Sequence, residues 1–178
     1  MNFKETEKGL FVPEHFKISV EGRYKATLIR CGEIIDEEEV ENITVNEGLT
    51  AMLSIMLGGG GQITTWYLGL FTGNYSPVAT DTAATIAANS TEATGYTAGA
   101  RQQWQPAAAA SQSITNSASQ ASFTFNASQT IYGAFLVSSA TINGTSGKMF
   151  SGAQFGTAKA VVNNDVLLLT YTFNAASS

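Results

Sequence analysis

The stretch Val166-Leu167-Leu168-Leu169-Thr170-Tyr171-Thr172-Phe173 decides the fold class. Val166, Leu168, Thr170 and Thr172 fall on one face, and Leu167, Leu169, Tyr171 and Phe173 on the other. A period of two with branched and aromatic residues is the pattern of a β-strand. Asn163-Asn164-Asp165 before it is a turn. Upstream, Ala158 to Val162 and Lys148 to Phe150 read as short strands, and Ile142-Asn143-Gly144-Thr145 as a hairpin turn. Thr130 to Val137 alternates Tyr132, Ala134 and Leu136 against Ile131, Gly133, Phe135 and Val137, and Phe123 and Phe125 alternate with Ser122 and Thr124.

Further upstream, Gln62 to Thr72 is apolar on both faces, as a strand in mid-sheet would be when both sides are covered. Residues 16–30 alternate, Cys31-Gly32-Glu33 turns, and residues 34–41 return as the acidic second strand of a hairpin. Edge strands carry charge to block stray pairing, so Asp36, Glu37, Glu38, Glu39 and Glu41 read as a solvated edge. Consecutive strand carboxylates point to opposite faces, which disfavours a cation site there. About eight strands at short spacing predict an all-β two-sheet sandwich. A jelly-roll-like arrangement is the first choice and an immunoglobulin-like sandwich the second.

One helix is expected, over residues 44–57. Thr44 and Glu47 have capping-box spacing, and Leu49, Met52, Leu53, Met56 and Leu57 make one apolar stripe. Gly58 to Gly61 ends it. That glycine run lacks the following Lys-Ser/Thr of a phosphate loop and follows a helix, not a strand. Residues 74–121 are rich in Ala, Ser and Thr. Within them Asp81-Thr82 opens a short helix through Ile86, residues 101–105 form a short strand, and the rest reads as exposed loop and candidate contact surface. Residues 1–15 read as an extended N-terminal arm ahead of a single domain over 16–178.

Composition narrows the function. The chain has 178 residues, 13% of them charged, and a net charge of -5. Residues 1–47 hold six Lys/Arg and eleven Asp/Glu, and residues 48–178 hold three of each. Nucleic-acid binding would need a basic patch and is not expected. The single cysteine, Cys31, and single histidine, His15, exclude a Cys/His zinc cage and an intrachain disulfide. No apolar run is long enough for a membrane helix, and no secretory signal opens the chain, so membrane association is not expected and the Asn-x-Ser/Thr tripeptides are chance.

Catalysis finds little support. His15 lies beside Pro13 in the arm, a poor mount for a base, and a Cys31 nucleophile would need it too. Asp81, Glu92 and Asp165 are the only acids after residue 48, and all fall in loops or turns. The expectation is therefore not an enzyme, with no catalytic residue, cofactor or metal. Partner contacts are expected at Phe3, Leu10, Phe11 and Val12 of the arm. Trp104, in a polar stretch, is either a surface platform or a loop anchor in the core.

The order of segments resembles a known group. The hairpin from Gly22-Arg23-Tyr24 leads to Asn42-x-x-x-Asn46-Glu47-Gly48-Leu49, an amphipathic helix, and Trp66-Tyr67-Leu68-Gly69-Leu70. Arg101-Gln102-Gln103-Trp104, Ser122 to Phe125, Ile131 to Leu136 and the Asp165 to Tyr171 strand follow. Over residues 22–173 this resembles small virion structural proteins of tailed bacteriophages, of the capsid cement or decoration type. The resemblance implies a jelly-roll body made in the host cytoplasm and placed on the capsid surface. It also implies the major capsid protein as partner, and self-association as a dimer or trimer fits the same assembly role. A tail or fibre component contacting the host surface is the alternative. The long Ala/Ser/Thr-rich spacers between Asp81 and Phe123 depart from the group.

Overall fold

A computed structural model describes residues 18–177 in full and the backbone of residues 3–5 and 11–13. His15 and Leu10 lie outside the described residues, as do the side chains of Phe3, Phe11 and Val12. Within the expected arm, Phe3–Glu5 (β1) pairs antiparallel with Phe11–Pro13 (β2).

The body is an all-β two-sheet sandwich. Ile18–Arg30 (β3) and Glu33–Glu41 (β4) form the expected hairpin, with Cys31 and Gly32 at positive φ in the turn. Ile43–Thr44 (β5) precedes the helix Asn46–Leu57 (α1), and Trp66–Phe71 (β6) is the doubly apolar strand. Ile86–Ser90 (α2), Gln102–Trp104 (β7) and Ser113–Thr115 (β8) lie in the polar region. Ala121–Thr124 (β9), Gln129–Val137 (β10), Met149–Val161 (β11) and Val166–Ser177 (β12) complete the chain. One sheet runs β4-β3-β12-β8, with β9 also on β12, and the other runs β5-β11-β10-β6-β7. Of the jelly-roll-like expectation, the two-sheet sandwich is the part that this order carries.

β12 is the spine of the first sheet. It pairs with β3 from Val166↔Ile29 to Ser177↔Ile18. Its other edge takes β9 and then β8, and Asn116 bridges the step between them. The Asn116 side chain donates to Leu169 O and accepts from Tyr171 N at 2.7 Å, imitating one rung of the ladder. The core between the sheets holds Tyr24, Leu28, Leu167, Leu169, Tyr171 and Phe123 against Leu68, Leu70, Ile131 and Leu136.

The second sheet is covered on both faces, as the double apolarity of β6 requires. Its outer face carries Phe71, Phe135, Val137 and Met149 beneath Val45, Ala83 and Ile86. Two reciprocal pairs knit β6 to β10: Gly133 lies opposite Phe71, and Gly69 opposite Phe135. A Cβ at Gly69 would collide with the Phe135 ring, and one at Gly133 with the Phe71 ring and Ala153 O.

The region 74–121 departs from the exposed loop expected of it. Asp81, Ala83, Ile86, Ser90, Glu92, Tyr96, Arg101, Trp104 and Asn116 are all buried. Small residues let this segment lie close on the sheet, and its buried polar side chains find partners, the Tyr96 hydroxyl excepted. Arg101 and Glu92 form an ion pair with both side chains fully buried, Nε–Oε1 at 2.7 Å and Nη2–Oε2 at 2.8 Å. Arg101 also donates to Ser139 O and Gly144 O, and Glu92 accepts from Asn143 N. The pair thereby ties this region to the β10–β11 connection.

Candidate functional site

The chain from Gly48 to Thr80 carries no Asp, Glu, Lys or Arg. α1 opens it, and its first turn is bolted to the body. Val45 N donates to Phe150 O and Asn46 N to Ala79 O. Gly48 is buried, and a Cβ there would stand 2.6 Å from Phe150 O, so only glycine allows this approach. The Glu47 carboxylate accepts from the backbone amides of Ala83 and Met149, each at 2.8 Å, and from Lys148 Nζ.

The expected capping box does not form. Thr44 is held in β5 against Ser151, the N-cap is Val45 with no side-chain bond, and Glu47 spends its oxygens on two tertiary amides instead. The helix is therefore fixed from the body side, by contacts distant in sequence.

Past this anchor α1 rises out of the protein. Leu49, Met52 and Ile55 are half-buried, whereas Leu53 is 55%, Met56 68% and Leu57 82% exposed. The expected apolar stripe is thus split, with its last three members exposed. From Leu49 to Leu57 only Thr50 and Ser54 are polar, and a helix apolar on nearly all sides needs cover on more than one side. That composition is the signal in the sequence that marks the outer face.

Two hollows flank α1. An open groove of about 860 Å³ runs between Thr50, Ser54, Gly60 and Gly61 on one side and Ser138 and Lys148 on the other. A smaller cavity of about 200 Å³ is lined by Met52, Trp66, Trp104, Phe150, Tyr171 and Phe173, with Ile114 and Leu136. Its rings meet edge to face: Trp66 on Phe150, Phe150 on Phe173, Trp104 on Tyr171. Trp104 is 8% exposed and its Nε1 donates to Tyr171 O, so it anchors the core here and presents no platform to solvent.

The cations of residues 18–177 are each met by an acid. On the outer face of the β3–β4 hairpin, Arg23 pairs with Glu39 and Glu41, and Lys25 with Glu37. On the inner face, Asp36 and Glu38 clamp Lys159 of β11 at 2.7 and 2.5 Å, while Glu38 also accepts from the Gly156 and Thr157 amides. The acidic strand is therefore a built ion-pair ladder and not simply a solvated edge. Strand alternation sends odd acids to one set of cations and even acids to another. Burial pushes the Glu38 carboxyl up, but the Lys159 ammonium and the two amides outweigh it and leave the group below its ordinary value. Burial pushes Lys159 down, and the two carboxylates more than restore it. With Arg30–Asp165, Arg101–Glu92 and Lys148–Glu47, all six Lys and Arg of residues 18–177 are in ion pairs.

The acids considered for catalysis are held apart, each by its own structural partners. Asp81 accepts from Tyr75 Oη, Val78 N and Asn89, Glu92 is bound by Arg101, and Asp165 by Arg30. Cys31 is exposed in its turn. Among the described residues no three His, Cys, Asp or Glu side chains gather as metal ligands, and no helix is long and apolar enough to cross a membrane. The outer side of α1 presents Leu53, Met56 and Leu57 to solvent. The chain matches no known protein family and no curated protein.

Proposed function

We propose that this chain is a structural protein of a phage virion, a cement or decoration protein bound to the shell of the major capsid protein. The observation that carries the reading is the outward face of α1 on a body whose described cations are all paired. Such a surface offers no unpaired cation to a polyanion, and its apolar helix face suits distributed contact with other protein. The segment order that resembles phage structural proteins supplies the class of partner. Both glycines of its most specific element have a reason in the fold: Gly48 lets α1 approach β11, and Gly69 makes room for the Phe135 ring.

In this reading the protein reinforces the shell without chemistry. Each copy lies on the particle surface and is held by many small apolar and backbone contacts. Phe3, Leu10, Phe11 and Val12 of the N-terminal segment reach neighbouring subunits by strand addition. The experiment is reconstitution. Purified chain is mixed with shells assembled without it, and the shells are pelleted. Saturable co-sedimentation, with shells that then withstand more heat, is the expected result. Failure to pellet with shells at any concentration would overturn the proposal.

A further inference from the structure

We propose that Asn143-Gly144 is a deamidation site, and that the buried Glu92–Arg101 pair keeps it closed while the protein is folded. The site is independent of the shell-binding role.

Asn143 and Gly144 make the one Asn-Gly pair of the chain. Glycine has no Cβ, so nothing shields the approach of its amide nitrogen to the preceding asparagine side chain. The Gly144 amide gives its proton to solvent base, and its nitrogen attacks Asn143 Cγ. The new N–C bond forms as the side-chain nitrogen leaves, protonated, as ammonia. Water then adds to either carbonyl of the cyclic imide and opens it to aspartate or isoaspartate. Water is the only co-reactant, and nothing is oxidised or reduced.

Asn143 is exposed, so water and base reach it. The reacting peptide unit is nonetheless pinned. Gly144 N donates to Thr141 O at 3.0 Å, closing a turn in which Asn143 sits at φ 57. On one side of this unit, Asn143 N donates to Glu92 Oε2 at 2.6 Å. On the other, Gly144 O accepts from Arg101 Nη2 at 3.3 Å. Both anchors end on side chains with no solvent exposure. The loop behind the turn is held as well: Arg101 donates to Ser139 O and, from its backbone, to Ala140 O, and Ile142 packs on the core between the sheets.

To react, the Gly144 nitrogen must lose its hydrogen and turn onto Asn143 Cγ. It does neither while its N–H rests on Thr141 O and the peptide units before and after it are tied to Glu92 and Arg101. Reaction therefore waits for the clamp to open. Either product would oppose reclosure. Each puts a carboxylate on the residue whose own amide touches Glu92, and isoaspartate also adds a methylene to the main chain between the two anchors.

The test is incubation of the full chain at mildly alkaline pH, folded and in urea above its unfolding transition. Peptide mapping by mass spectrometry then follows the amide-to-acid change at residue 143. The unfolded chain should deamidate there first among its asparagines, and at least about tenfold faster than the folded protein, since the rate follows the open population. Exchange of the Gly144 amide hydrogen, read by NMR, should be slowed by folding to a similar degree, because it needs the same release from Thr141 O. Glu92→Gln, at a temperature where its melt shows it folded, should react about tenfold faster than the wild type, the effect of one lost charge-assisted hydrogen bond. If that variant does not fold, the wild-type rates and the Gly144 exchange decide. Equal rates in folded and unfolded chains, an unprotected Gly144 amide, another asparagine reacting first in urea, or a folded Glu92→Gln protein at the wild-type rate would each overturn the proposal.

Discussion

Lys159 fastens the edge of one sheet to the other. Its ammonium is buried between Asp36 and Glu38 of β4, on a side chain that β11 sends across from the second sheet. Lys159→Met would leave two carboxylates facing each other, partly open to water. A loss of about 2 kcal/mol in urea unfolding is expected, less than for a sealed pair because solvent screens the acids. Arg101→Met is a harsher case, since Glu92 would be stranded with no exposure at all, and about 3–5 kcal/mol should be lost. The pH dependence has a defined sign. Glu38 has a lowered native value, so its stabilising contribution is full above the ordinary 4.5 and is lost as the pH falls from there through the native value. Melting temperature should hold from pH 7 to about 5 and then drop, and Glu38→Gln should drop less steeply. The acids of β4 were legible in the sequence as an edge. Their partner was not, because Lys159 is distant in the chain and only the sheet packing brings it there.

Among the elements, the hairpin β3–β4 and the strands β10 and β12 were legible from alternation and from turns that carry Gly or Asn, and β6 from its unbroken apolar run. The glycines inside β6 and β10 were not. Gly69 and Gly133 weaken a strand by themselves, and only the register that sets Phe135 and Phe71 opposite them explains their use. Gly133→Ala should cost about 1–3 kcal/mol by overpacking against the Phe71 ring and Ala153 O, read as a lower urea midpoint at constant m-value. α1 forms at nearly its expected length without the capping box. The spacing marks a stripe but not its direction: the anchor made by Glu47 and Gly48 fixes the helix so that Leu53, Met56 and Leu57 face out. Leu57→Glu alone should therefore change stability by less than about 0.5 kcal/mol, as for any exposed site. A core residue would have lost several times that.

For the whole molecule, the two-sheet sandwich followed from strand number and spacing, and it is the architecture observed. The Ala/Ser/Thr-rich region hid its role, because buried Ala, Ser and Asn carry no periodic apolar signal. It closes the outer face of the second sheet and so makes β6 a two-sided core strand. What remains open to partners includes the apolar outer face of α1, on a body whose cations at residues 18–177 are all paired with acids. That distribution is what the proposed role of covering another protein would use. The most direct test is the copy number of this chain in purified particles, by quantitative mass spectrometry against the major capsid protein. A ratio near one to one, or a fixed simple fraction of it, is the result expected of a shell protein. A few copies per particle would place the chain in the tail, and absence from particles would contradict the account altogether.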